Sequence, residues 1–372
     1  MKIVIAPDKF KGSLTAAEAA RAISRGAHSA APDAQCSLCP MADGGEGTVD
    51  VFLERGAARK VARVRGPLGA PADAVFALDN DSAILEMASA SGLGLLERSQ
   101  YDPTHTDTFG TGQLRDAALH AGAQRLIIGI GGSATNDAGT GMLRALGVRF
   151  LDKRGAEIDG GILDYERLET IEPRGIDERI AGIAIEVAVD VDNPLCGPNG
   201  ATRTFAPQKG ATPDQIERLD HVLGQIADVA HRTLSQDYRN ALGAGAAGGL
   251  GFALIAFLGA RVQPGVQLVA RECGLSQLLS GATLCMTGEG KIDVQTLHGK
   301  TVDGVAKLAK EGGVAVVRLA ARLRKAQPRA WRQRGIAVVT IAPPGTPIEE
   351  SMRSAARFLE AAAKRAVQRC AC

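Results

Sequence analysis

The stretch Arg125-Leu126-Ile127-Ile128-Gly129-Ile130-Gly131-Gly132-Ser133-Ala134-Thr135-Asn136-Asp137-Ala138-Gly139-Thr140-Gly141 decides the fold. Leu126 to Ile130 reads as a buried strand, because a short apolar run bounded by Gly is too short for a stable helix. Gly131 and Gly132 then free the backbone for positive φ and for close approach to a ligand. Ser133, Thr135 and Asn136 are residue types that cap a following helix, whose first N–H groups would face an anion. Asp137 on the same rim is a candidate to hold a divalent cation or to take a proton. The pattern predicts the floor of a polyanion site at the end of a parallel strand.

Working outward, Lys2 to Pro7 predicts a strand, Thr15 to Ala30 a helix, Ser37 to Met41 a second strand and Gly47 to Arg55 a helix. Thr15 with Glu18 three residues on is a capping box. This βαβα opening is the pattern of a parallel sheet. The far end repeats it: strands at Thr283–Thr287, Val314–Leu319 and Ala337–Ile341 alternate with helices at Val302–Lys310 and Ile348–Val367. Between them, Val61–Arg65, Ala74–Leu78 and Ala83–Met87 read as shorter strands of antiparallel character. Val148–Leu151 and Ile185–Asp190 are further strands, and Asp214–Leu234 and Gly249–Leu258 are helices. The economical architecture is α/β: a discontinuous, doubly wound domain from both termini (1–60 and 280–372) with a second α/β domain (61–279) inserted.

At 372 residues the chain exceeds one comfortable core, which supports two domains. Hydrophobic residues make up 45%, so the chain has enough apolar surface to fold. The 43 basic and 41 acidic side chains nearly cancel, and 1 Trp, 3 Tyr and 9 Phe leave little to stack on bases, which argues against nucleic-acid binding. Ile3-Val4-Ile5-Ala6-Pro7 is too short for a signal segment, and the longest apolar run, near Gly249 to Ala260, is too short to span a membrane. A cytoplasmic location is expected. Seven cysteines in such a chain argue against a disulfide framework. Cys36-x-x-Cys39 has a metal-like spacing, but on a strand the two thiols point to opposite faces, so core packing is the better reading.

In parallel sheets ligands bind beyond the carboxyl ends of the strands. At those ends the sequence places Pro7-Asp8-Lys9-Phe10-Lys11-Gly12-Ser13, Ala42-Asp43-Gly44-Gly45-Glu46-Gly47 and Gly288-Glu289-Gly290-Lys291-Ile292-Asp293. The inserted region adds the Gly131 loop, Asp190-Val191-Asp192-Asn193-Pro194, Pro207-Gln208-Lys209-Gly210 and Gly243-Ala244-Gly245-Ala246-Ala247-Gly248-Gly249. Singly, each reads equally as a tight turn or a helix cap. Together they form the inventory of phosphoryl transfer: backbone donors and lysines for phosphates, carboxylates for magnesium and an acid to receive a hydroxyl proton. Two other motifs fail. Leu297-His298-Gly299-Lys300-Thr301 lacks the first Gly of a Walker A loop, and Gly243–Gly249 follows no good strand for a dinucleotide fingerprint.

In order and spacing these segments resemble the bacterial type I glycerate kinases, nearly end to end. The matching segments are Ile5 to Leu14, Ala42 to Thr48, Gly110-Thr111-Gly112, Ile130 to Asp137, Asp192 to Leu195, Pro207 to Ala211, Gly243 to Gly249 and Thr287 to Asp293. The resemblance implies ATP-dependent phosphorylation of D-glycerate with Mg2+, giving 2-phosphoglycerate. It also implies a flavodoxin-like domain and a restriction-endonuclease-like one with the site in the cleft between them. One departure is Ala321, where relatives carry Gly in a turn after the strand from Val314; a positive φ there would strain an alanine.

The catalytic candidates are Asp190, Asp43, Lys9, Lys11 and Asp8. Lys9, Lys11 or Lys209 would hold phosphates or the glycerate carboxylate, and Asp190 or Asp43 would hold magnesium or take the hydroxyl proton. Ser13, Gly44, Gly45, Gly131, Gly132, Ser133, Thr135, Asn136, Lys209, Gly288, Glu289 and Gly290 are the phosphate- or substrate-binding candidates. Asp190 and Asp293 are the metal candidates. A kinase for another small hydroxy acid and a non-catalytic small-anion sensor remain as alternatives. The sequence leaves open which glycerate hydroxyl reacts and how many subunits assemble.

Overall fold

The computed structural model describes residues 1–173, 176, 183–292, 301–323 and 337–370. It is a mixed α/β structure that divides into two units, Met1–Asp43 with Pro264–Cys372, and Gly44–Gln263.

The first unit begins with β1 (Lys2–Ile5) and β2 (Gln35–Leu38), joined by the helix Ala16–Ala30. The capping box forms as expected: Glu18 N donates to Thr15 Oγ1 at 3.1 Å, and Thr15 N donates to Glu18 Oε2 at 2.8 Å. The chain then leaves for the second unit through β3 (Ala58–Arg65), β4 (Pro71–Asp79), β5 (Ser82–Glu86), β6 (Arg125–Gly129), β7 (Arg149–Asp152), β8 (Leu168–Glu172), β9 (Ala184–Ala188) and β10 (Arg261–Gln263). It returns with β11 (Leu284–Ile292), β12 (Ala315–Leu323) and β13 (Ala337–Thr340).

In the first unit all pairings are parallel, in the order β13-β12-β11-β1-β2. Counted along that unit's own strands the order is 2-1-3-4-5, so the winding reverses between β1 and β11. Helices can then cover both faces, and Ile3, Val4 and Ile5 are fully buried. The second unit carries a mixed sheet, β10-β9-β6-β5-β4-β3. Its first four strands are parallel and β5-β4-β3 is an antiparallel meander, as expected of those short segments. Leu126, Ile127 and Ile128 of central β6 are at most 1% exposed, the reason for their unbroken apolar run.

Several boundaries differ from the sequence reading. The helix after the Gly44 loop runs Thr48–Leu53 and packs on β4 and β5, with Glu86 Oε1 accepting Val49 N at 2.7 Å. The division therefore falls at Gly44 rather than near 60. On the other side, the helix Gly265–Glu272 packs on Thr301–Glu311 so closely that a Cβ on Gly304 would lie 2.5 Å from Val266 Cγ1, which draws the boundary back to Pro264. The closing helix is two, Ile348–Arg353 and Ala355–Cys370, broken at Ser354 (φ −101°, ψ 14°). Ala321 is not in a turn: it lies inside β12 and is absent from the positive-φ residues, so it carries no strain.

Gly288, Glu289 and Gly290 do not form a loop either. β11 continues through them, pairing Gly288 with Leu319 and Glu289 with Ala320. A Cβ on Gly288 would lie 2.3 Å from the Leu319 carbonyl oxygen, so close strand packing explains the missing side chain.

Candidate active site

At the carboxyl end of β1 the backbone is tied down before any ligand arrives. Asp8 N donates to Gly288 O at 2.9 Å, which holds Asp8 at the place where the sheet reverses its winding. Its carboxylate accepts Lys9 N on Oδ1 at 2.6 Å and Thr301 Oγ1 on Oδ2 at 2.5 Å. Burial first, and the Asp43 charge second, push its pKa up to about 6, against the pull of those hydrogen bonds. Asp43, which follows β2, is half-buried like Asp8. Lys11 is exposed on the same loop and Gly12 takes φ 78° beside it. Ser13 spends its hydroxyl hydrogen on Phe10 O at 2.8 Å, so it closes the turn that displays Lys9 and Lys11. The first unit thus brings Asp8, Asp43, Lys9 and Lys11 to one sheet end, beside Gly288–Gly290. Asp293 lies outside the described residues.

In the second unit the Gly44–Gly45 segment lies across the carboxyl ends of β6 and β9. A Cβ on Gly44 would be 2.2 Å from Ala188 Cβ, and one on Gly129 would be 2.1 Å from Gly44 O. A Cβ on Gly131 would come 3.0 Å from Gly45 Cα. Only side-chain-free positions permit that approach. Gly131 and Gly132 are exposed, with Gly132 at φ 77°, so their backbone forms the open rim. Asp190 is exposed two residues past β9.

The polar side chains after that rim point inward, which corrects the expectation that they cap a helix facing an anion. The next helix, Thr140–Ala145, starts at Gly139 with φ 74° and no side-chain cap. Thr135 and Asn136 are fully buried, and Asn136 Nδ2 donates to Thr202 Oγ1 at 2.9 Å. Asp137 is buried and accepts four hydrogen bonds: Thr108 N at 2.9 Å, Thr108 Oγ1 at 2.7 Å, Gly139 N at 3.1 Å and Gly141 N at 3.1 Å. Burial is the largest influence on its carboxyl and pushes the pKa up, but the group is committed to binding the loop together. Lys209 likewise does not reach outward. It is 2% exposed, and its Nζ lies 2.7 Å from Ser133 Oγ and 2.6 Å from Thr135 O.

Sequence reasoning missed three contributors. Thr301 was visible only as the tail of a failed Walker loop, yet it is the hydroxyl on Asp8. Thr106 and Thr108 brace the rim, Thr106 Oγ1 donating to Ala134 O at 3.0 Å. The alternation Thr104-His105-Thr106-Asp107-Thr108 is a signal that could have exposed them, since Thr104, Thr106 and Thr108 are all buried. The run Ala247-Gly248-Gly249 takes φ 54°, 68° and 92° at the start of its helix rather than offering an open phosphate cradle. A Cβ on Gly248 would lie 2.0 Å from Thr135 O, so this run clamps the rim from behind.

Taken together, these features define an α/β protein with a carboxylate pair at a topological switch point and a glycine rim on a second sheet. The chain matches the glycerate kinase family over residues 3–371, and it belongs to that family. A glycerate kinase of Bacillus subtilis (strain 168) is 47% identical over 368 residues, covering 98% of this chain and 96% of its own. A glycerate 2-kinase of Escherichia coli (strain K12) is 47% identical over 327 residues, covering 87% of this chain and 86% of its own. A crystal structure assigned to glycerate kinase 2 from Salmonella typhimurium LT2 superimposes with a TM-score of 0.89 at 43% identity, covering 99% of this chain and 97% of that one. Membership makes the chain a kinase, a phosphotransferase enzyme. No helix among the described residues is long and apolar enough to cross a membrane.

Proposed function

We propose that the chain transfers the γ-phosphoryl group of ATP in line to a hydroxyl of D-glycerate, giving 2-phosphoglycerate. The observation that carries this reading is the Asp8 carboxyl at the end of β1, beside Asp43 and pushed up to about 6. A base with that pKa is ionised at neutral pH and still basic enough to receive a proton from an alcohol in the transition state. Lys9 and Lys11 supply positive charge for the glycerate carboxylate or a phosphate. The exposed backbone of Gly131–Gly132 supplies N–H donors to phosphate oxygens, the electrostatic part of phosphoryl transfer. Support for the C2 product comes from the name of the Escherichia coli relative.

Magnesium enters through Asp190. Among the described residues no group of three or more His, Cys, Asp or Glu could hold a metal ion, so no preformed cage is on hand. Mg2+ in kinases needs only one or two carboxylates, the rest of its shell being water and phosphate oxygens. The exposed Asp190 fits that requirement, and the bound ion would neutralise charge on the phosphates. The 2-1-3-4-5 strand order supports a flavodoxin-like reading of the first unit; we liken the inserted mixed sheet to the restriction-endonuclease fold.

A panel of small hydroxy acids, each with ATP and Mg2+ in an ADP-release assay, tests the proposal. D-glycerate should exceed every other acid in kcat/KM. A higher value for another hydroxy acid would move the substrate assignment, and binding of D-glycerate without ADP release would favour a sensor.

A further inference from the structure

Lys209 ends a short turn, Pro207–Lys209, that Gly210 closes at φ 95°. A Cβ on Gly210 would lie 2.1 Å from the Tyr101 carbonyl oxygen, so the turn is held tightly and sends the lysine inward. The Nζ then meets two different acceptors, the Thr135 carbonyl at 2.6 Å and the Ser133 hydroxyl at 2.7 Å. Asp137 is the charged group facing it, and that carboxylate already takes four donors.

The two contacts have different proton logic. A carbonyl can only accept, so one Nζ hydrogen always points at Thr135. A hydroxyl can accept or donate. Against an ammonium, which has no lone pair, Ser133 Oγ must accept, and its own hydrogen has to point away from the lysine. Against a neutral amine the lone pair can take that hydrogen, and the hydroxyl turns inward. Ser133 is 7% exposed and directly follows the exposed Gly131–Gly132 backbone, so the direction left open to it is toward that rim.

We propose that Lys209 is a positioning residue whose ammonium keeps the Ser133 hydroxyl hydrogen turned outward as a donor to an oxyanion bound at the rim. The oxyanion is a nucleotide phosphate or the carboxylate of the acceptor, and the inference rests on the phosphotransfer reading of that rim. It replaces the expectation that Lys209 itself grips the anion. Burial pushes the Lys209 pKa down to about 7, with Asp137 opposing, so the change of hydroxyl direction falls within the pH range of ordinary assays. As pH rises through that value the rim loses one donor.

Calorimetric binding of ATP alone and of D-glycerate alone, at about pH 6 and about pH 9, tests this on the whole chain. Wild type, K209R and S133A are compared, so the ligand's own titration and that of Asp8 are common to all three. The wild type should lose about twofold to tenfold in affinity for one of the two ligands at the higher pH, the worth of one hydrogen bond. K209R stays charged throughout and should lack that part of the pH dependence. S133A should bind that ligand more weakly at low pH and also lack it. A response to ATP assigns the donor to phosphate, and a response to D-glycerate assigns it to the carboxylate. Should K209R fail to fold, S133A carries the test, because it changes no backbone contact. A pH dependence that persists unchanged in S133A overturns the proposal, as does equal wild-type affinity at both pH values for both ligands. Failure of the kinase reading would show separately, as no ADP release by wild type with D-glycerate.

Discussion

Asp8 and Asp137 sit in similar sequence settings, each in a Gly-bearing loop after a buried parallel strand, and the fold gives them opposite work. Asp137 receives four donors, is 1% exposed and binds its loop to Thr108 and Gly141. Asp8 receives two, keeps part of its surface and shares its neighbourhood with Asp43. Both carboxyls are pushed up by burial, yet only Asp8 retains the access that proton transfer requires. An acidic residue beyond a strand end is therefore a reagent or a rivet according to how many donors converge on it.

The same change at both positions separates the two roles. Asp8→Asn should lower kcat by about 10²- to 10⁴-fold, the usual contribution of a positioned base, without loss of folded structure. Asp137→Asn places an amide hydrogen against at least one of the four donors and should cost about 1–3 kcal/mol of stability, read as a lower melting temperature. If Asp8→Asn unfolds the chain, or Asp137→Asn leaves its melting temperature untouched, the two roles have been assigned the wrong way round.

A smaller effect sharpens the Asp8 side. Turnover should fall as pH drops through about 6, because the proton acceptor is then already protonated. Thr301 donates to Asp8 and favours its charged form, so Thr301→Val should move that limb to higher pH. A pH–rate profile of the two proteins checks both statements.

The smallest effect is thermodynamic. The folded state holds the Asp8 proton more tightly than the unfolded chain between the ordinary value of 3.8 and about 6. Asp8 therefore adds a stability contribution that is largest below that window and falls as pH rises through it. Asp8→Asn removes the slope and should melt slightly above wild type at about pH 8, which calorimetry against pH can detect. A catalytic carboxylate that costs stability while a structural one supplies it is the pattern expected of a functional site.

What could be read from the sequence was local. The Thr15–Glu18 box spans one helical turn, and the Leu126–Ile130 run announces its burial on both faces by its composition alone. The meander from Val61 to Met87 shows as three short strand-like runs set close together in the sequence. What stayed hidden came from far along the chain. Thr301 reaches Asp8 across 293 residues, Lys209 reaches Ser133 across 76, and Thr108 reaches Asp137 across 29. Whether Thr135 and Asn136 face a ligand or the core depends on such distant partners, which residue type alone does not reveal. The Gly288–Gly290 segment misled for a related reason. Its glycines answer the closeness of Leu319 on the neighbouring strand, and nothing in the segment itself distinguishes that need from the freedom of a loop.

Phosphorus and proton NMR, followed together on the purified chain with ATP, Mg2+ and D-glycerate, decides whether and where the acid is phosphorylated. One ADP should form for each D-glycerate consumed, with the new phosphate coupled to the C2 proton. D-glycerate left unmodified while the enzyme is folded, or a phosphate coupled to the C3 protons, would contradict it.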